Sequence, residues 1–189
     1  MLGSLHLCRS SFLSLALSLN FPKSMYGWVS GADSNDKLVD NLRHHYKLSP
    51  RTTAAMKRVD RANYCRSGSL PYDDSPQLIG FGQTISAPHV HALALKALEP
   101  NLRTPGASVL DVGSGSGYLA ACFAEVLRGE SGGSVVGIDN SKGLVEWSVS
   151  NVVRDGKADL FQEGESCGVE ADTGSAAMRA AESPQAHVQ

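Results

Sequence analysis

The sequence has no Cys-x-x-Cys pair, no apolar run long enough to cross a bilayer and no surplus of either charge, and each shortage removes a class of function. Its four cysteines, Cys8, Cys65, Cys122 and Cys167, stand far apart, with no histidine nearby at ligand spacing. That pattern argues against a metal knuckle or a redox couple; the thiols read as free, in a reducing compartment, here the cytoplasm, and no metal is expected. Lys and Arg number 17 against 19 Asp and Glu, a net charge of -2, so nothing favours nucleic acid or an anionic membrane as partner. A small molecule or a protein is the expected partner, and the chain is expected to act as a monomer. Aromatic residues are only 6% of the total, and Tyr64, Tyr72 and Phe81 read as loop anchors rather than base-stacking groups.

What is present suits one globular domain: 189 residues, 42% of them apolar. Residues 1–24 differ from the rest. They hold the apolar stretch Phe12 to Leu19, too short for a membrane span, and the first acid in the chain is Asp33. Two readings stand for this segment: a targeting sequence, weakened by Arg9 being the only base before the apolar run, or an extension ahead of a start at Met25.

Asp33-Ser34-Asn35 predicts a helix start, with Leu38, Val39, Leu42 and Tyr46 on one face. Ser49-Pro50 restarts a helix whose apolar side is Ala54, Ala55, Met56 and Val59. From Asp60 to Ile85, Gly and Pro break the periodicity, which predicts an ordered, binding-type loop with short extended pieces. Ser86-Ala87-Pro88 opens another helix carrying Val90, Leu93, Ala94, Ala97 and Leu98 until Pro100 stops it. Ser108 to Val112 reads as a buried parallel strand, Tyr118 to Leu127 as a helix, Ser134 to Asp139 as a second strand and Ser141 to about Val153 as a third helix of the region. Strand, helix, strand, helix is the α/β crossover pattern of a parallel sheet covered by helices.

The chemistry concentrates in Asp111-Val112-Gly113-Ser114-Gly115-Ser116-Gly117, which joins a strand's carboxyl end to a helix. Glycines at alternate positions let backbone approach a ligand. A dinucleotide fingerprint is Gly-x-Gly-x-x-Gly, and here the third glycine comes one residue early. Asp111 would repel a pyrophosphate but attract the sulfonium and amino groups of S-adenosylmethionine. Asp139, ending the second strand, is placed to accept hydrogen bonds from ribose hydroxyls. The alternative is a turn serving only tight strand-helix packing, and acids at two neighbouring strand ends weigh against it.

Val109 to Tyr118 resembles the first cofactor motif of class I methyltransferases. Asp60-Arg61-Ala62-Asn63-Tyr64, Pro71 to Gln77 and Ile79 to His89 narrow the resemblance to protein-L-isoaspartate O-methyltransferases. It runs from about Ser34 to Val153. It implies a Rossmann-like doubly wound sheet and methyl transfer from S-adenosylmethionine to the carboxylate of L-isoaspartyl and D-aspartyl residues in damaged peptides and proteins. It places Ser86 as the active-site serine and Gln83, Thr84, Ile85 and His91 in the cofactor and substrate wall, beside Asp111, Gly113, Ser114, Gly115, Gly117 and Asp139. From position alone, Ser86 also suits a helix cap, and His89 and His91 suit solvated groups in the helix's first turns. No Gly-x-Ser-x-Gly elbow surrounds Ser86, so it is not a covalent nucleophile.

The sequence departs from the resemblance after Val153. Arg154 to Gln189 is rich in Gly, Ala, Ser and Glu, with few large apolar residues and no strand-like alternation, which predicts disorder. The expected fold is thus a class I methyltransferase domain over 25–153, incomplete at its C-terminus, with a divergent tail. A catalytically inactive fragment that binds cofactor or a partner remains the second functional reading.

Overall fold

The computed structural model of the chain describes residues 30–128, 133–160 and 176–181; the expected extension over 1–24 and much of the tail lie outside them. α1 (Asn35–Tyr46) buries Leu38, Val39 and Leu42 as expected. α2 (Pro50–Arg58) starts where Pro50 presets the helical φ and the Ser49 hydroxyl accepts the Thr52 N–H. Its inward face differs from expectation, because Thr52 and Thr53 are buried and Ala54 is exposed. The hydroxyls are tolerated there because Thr52 donates to Glu99 and Thr53 to the Ser49 carbonyl, both at 2.7 Å.

The loop after α2 holds a 3-10 turn, Arg61–Tyr64, and a small antiparallel hairpin, β1 (Gln77–Gly80) and β2 (Gln83–Ile85), with a bulge between Leu78 and Gly80. Tyr64 and Tyr72 anchor it, their hydroxyls donating to Asp155 and Asp60 at 3.2 and 2.9 Å. Phe81 does not: it is 57% exposed at a hairpin tip with φ 53°.

α3 (Pro88–Leu98) follows, but turned from the expected face. Pro88, His91, Ala92 and Leu95 are buried, while Val90 is 46% exposed. Alanines and leucines surround this helix on all sides, so apolar spacing alone could not choose the inward stripe.

β3 (Ser108–Val112), α4 (Tyr118–Leu127), β4 (Ser134–Asp139) and α5 (Lys142–Arg154) form the expected crossover. β3 and β4 are parallel, Val109 facing Val135 and Asp111 facing Gly137. α4 packs on both strands and α5 on β4, while α2 and α3 pack on the outer side of α4. Val109 and Val135 are buried beneath this helical layer; on the other face Leu110 and Val112 are 47% and 72% exposed among the described residues. The architecture is α/β and Rossmann-like, with the described helices on one side of the sheet.

The described parts of the tail, 154–160 and 176–181, hold regular structure where disorder was expected, and the rest of the tail lies outside the described residues. After α5 the chain turns through Gly156 into a 3-10 turn, Ala158–Leu160, that places Leu160 in the core. β5 (Ala176–Ala181) then pairs antiparallel with β4, from Ala176 opposite Asp139 to Ala181 opposite Ser134. Composition bears on side-chain burial only. An open strand edge offers backbone hydrogen bonds that any non-proline residue can accept, whatever its side-chain pattern.

Candidate cofactor and substrate site

β3 carries Asp111 to its carboxyl end, and the chain then turns through Gly113, Gly115 and Gly117 at φ 79°, 53° and 82°. These left-handed values explain why glycine alternates here. The Gly113 and Ser114 N–H groups both donate to the Ile138 carbonyl, at 2.8 and 3.0 Å, tying the turn to β4. Asp139 completes the tie: its Oδ2 accepts the Gly115 N–H and its Oδ1 the Ser141 N–H, each at 3.0 Å. Expected as a ribose acceptor, Asp139 is therefore also the clamp of the turn, and only its remaining lone pairs are free for a ligand.

Asp111 is in the opposite condition. Its Oδ2 is buried and has no hydrogen-bond partner among the described residues, and the same holds for Ser114 Oγ. Burial first, and repulsion from Asp139 second, push its carboxyl up to about 6, against a weaker lowering by the Ala120 backbone. Uncompensated groups of this kind cost about 1–3 kcal/mol or more each. A carboxylate oxygen without a donor, beside side-chain-free backbone, fits a ligand that brings positive charge and N–H donors.

A cavity of about 370 Å³ opens at these strand ends, lined by Gln83, Thr84, Val112, Gly113, Gly115, Ile138, Asp139 and Asn140. It is within the range of small-molecule sites, roughly 300–1,000 Å³. Five residues named from sequence meet there: Gln83, Thr84, Gly113, Gly115 and Asp139. Asp111, Ser114 and Gly117 belong to the same strand and turn without lining it. Ile85 is not on the wall, since its side chain is 4% exposed and sits in the core. His91 is likewise taken inward, 7% exposed, with Nδ1 3.4 Å from the Arg61 guanidinium and its ring 5.0 Å from that of Tyr118. Sequence reasoning missed Val112 and Ile138, register partners at two parallel strand ends, and Asn140, which follows the strand-end acid. Their signal was position relative to the two strand ends.

Ser86 is exposed, and its hydroxyl makes no hydrogen bond among the described residues. It does not cap α3. The cap residue is Ala87, and the free amide of His89 is taken by Asp74 Oδ1 at 3.0 Å, which also holds His89 Nδ1 at 2.8 Å. A carboxylate from the preceding loop thus satisfies the helix start and leaves the serine hydroxyl uncommitted. Among the described residues no cluster of His, Cys, Asp and Glu could hold a metal ion, and no helix is long and apolar enough to cross a membrane.

With this geometry in place, comparison with known proteins is specific. The sequence model of the protein-L-isoaspartate(D-aspartate) O-methyltransferase family matches residues 33–174. A protein-L-isoaspartate O-methyltransferase of Caenorhabditis elegans is 46% identical over 126 residues, covering 66% of this chain and 54% of that relative. Protein-L-isoaspartate O-methyltransferase 1 of Arabidopsis thaliana is 42% identical over 136 residues, covering 71% and 58%. The chain spans a little over half the length of these relatives. A crystal structure from Plasmodium falciparum, described as a protein-L-isoaspartate O-methyltransferase in complex with S-adenosyl-L-homocysteine, superposes with a TM-score of 0.63 at 34% identity, covering 75% of this chain and 67% of that one.

Proposed function

Because the chain belongs to the protein-L-isoaspartate(D-aspartate) O-methyltransferase family, we propose that it transfers a methyl group from S-adenosylmethionine to the carboxylate of L-isoaspartyl and D-aspartyl residues in damaged proteins. The observation that carries the reading is the buried, unpartnered Asp111 Oδ2 at the root of a glycine turn whose cavity also takes in the hairpin leading to Ser86.

When bound, S-adenosylmethionine supplies a methyl carbon on positively charged sulfur. Asp111 and Asp139 hold negative charge at neighbouring strand ends, which favours such a cation over a pyrophosphate. Gly113 and Gly115 let backbone form the wall, and Gln83 and Thr84 close it from the hairpin side. Ser86 donates a hydrogen bond from its free hydroxyl to the substrate carboxylate and orients it. That carboxylate is ionised at neutral pH and is its own nucleophile, so these residues need supply no general base. What the protein provides is placement, a contribution of up to about 7–11 kcal/mol in well-oriented systems. The buried thiols Cys65 and Cys122 are free, which fits a reducing setting such as the cytoplasm.

The test is transfer of labelled methyl from S-adenosylmethionine to an isoaspartyl peptide, with the aspartyl isomer as control. Incorporation specific to the isoaspartyl form, lost in Ser86→Ala, is the expected result. Calorimetric cofactor binding without incorporation would refute the enzyme assignment and leave a cofactor-binding protein.

A further inference from the structure

Arg61 is the largest fully buried side chain of the chain's described part, 0% exposed, and none of the ion pairs among the described residues includes it. Its three contacts fall on three segments around the site. One terminal nitrogen donates to the Ser86 carbonyl at 2.7 Å, the other lies 3.4 Å from His91 Nδ1, and the guanidinium carbon stands 5.4 Å over the Tyr118 ring, the first residue after the glycine turn. Its Nε has no hydrogen-bond partner among the described residues.

We propose that Arg61 is a positioning residue of this site, holding the Ser86 peptide and fixing the tautomer of His91 together. The inference deepens the methyltransfer reading and rests on it for the meaning of Ser86.

A guanidinium has only donors, so His91 Nδ1 must accept and the imidazole proton must sit on Nε2. Burial, with Arg61 adding to it, holds His91 well below its ordinary value and therefore neutral at physiological pH. One side chain thus decides where the serine peptide lies and which face of the histidine donates. A purely structural strut would not need a charge. A cation taken out of water with no carboxylate in contact, only the longer-range attraction of Asp74, is unfavourable, and apolar side chains of similar volume often replace buried ions with no loss of stability. An arginine kept there at that disadvantage points to the site it touches rather than to the core.

The test uses the full chain with Arg61→Lys, which keeps charge but cannot fork between two acceptors, and Arg61→Met, which keeps length without donors. Nitrogen-15 NMR of the imidazoles reads the tautomer directly: His91 protonated on Nε2 in the parent protein, with Nδ1 protonation appearing in Arg61→Met, whereas the lysine of Arg61→Lys is itself a donor-only cation and is compatible with Nε2 protonation. With isoaspartyl peptide, kcat/KM should fall about 10- to 100-fold, the scale of a small misplacement of reacting groups. Affinity for S-adenosylhomocysteine should stay within about twofold, as for an independent site. In a Ser86→Ala background the loss from Arg61→Lys should nearly vanish. A His91 tautomer unchanged in Arg61→Met overturns the proposal, as does a kinetic loss that simply follows cofactor affinity and thermal midpoint. If the parent protein transfers no methyl, the reaction assignment fails, while a tautomer that follows Arg61 still supports the positioning role. Should Arg61→Met not fold, the kcat/KM loss in Arg61→Lys and its disappearance in the Ser86→Ala background decide.

Discussion

Replacing Asp111 by Asn should stabilise the free protein and weaken its hold on S-adenosylmethionine, two effects of opposite sign from one substitution. The carboxyl is pushed from 3.8 to about 6 in the fold. Roughly two pH units at 1.36 kcal/mol each make the ionised form about 3 kcal/mol less favourable than in the unfolded chain. Because the folded value is the higher one, folding takes up a proton between those two values. Stability from this group is greatest below pH 3.8, falls as pH rises through about 6, and is fully lost at neutral pH. The amide removes the charge, so Asp111→Asn should gain about 1–3 kcal/mol at pH 7, several degrees in Tm for a chain of this size. Ligand binding responds the other way. A cation that needs the carboxylate ionised should bind with constant affinity above about pH 7 and lose close to tenfold per unit below about pH 6. Calorimetric titration of S-adenosylmethionine from pH 5 to 8, for parent and variant, measures both limits. An affinity indifferent to pH and to the amide would refute the electrostatic account of the site. So would a lowered Tm in the free variant.

Gly115→Ala should lower both stability and cofactor affinity, since φ 53° is strained for alanine and its Cβ would stand 3.3 Å from Ile79 Cδ1; about 1–2 kcal/mol is expected in chemical denaturation. Leu144→Ala, at a fully buried position of α5, should cost about 2–5 kcal/mol while leaving the ligand-dependent rise in Tm in place. Glu125 is 2% exposed and ties α4 to α2 through Arg58. Burial would raise its carboxyl, but hydrogen bonds from Arg128 and Arg58 outweigh that and hold it below its ordinary 4.5. The stability it provides is therefore complete above pH 4.5 and lost on acidification through the lower folded value. Glu125→Gln should flatten that part of the acid-denaturation curve, and an unchanged curve would refute the linkage.

Elements whose signals lie within a few residues of one another were legible from the chain. Ser49-Pro50 gave α2 its start, and the strand at Ser108–Val112, the turn to Gly117 and the helix to Leu127 stand where apolar run, alternating glycine and helical spacing put them. The stripe of α3 was misjudged because Val90 and His91 are neighbours on a helix whose alanines and leucines are spread around it. Asp74 as the partner of the α3 amide was invisible, being 15 residues from His89. The same distance problem hid Arg61, which stands 25 residues before Ser86 and 30 before His91.

Sequence by itself determined the strand-turn-helix unit, its glycines, and acids at the ends of two strands, because φ preference, helical period and strand length are properties of short stretches of chain. Tertiary structure alone decided that Asp139 would spend bonds on the turn while Asp111 Oδ2 was left without a donor among the described residues, that His91 would face an arginine instead of the cavity, and that an alanine-rich segment would add a strand beside β4. Those outcomes depend on which groups packing brings within 3 or 4 Å, and burial then sets the value of each contact.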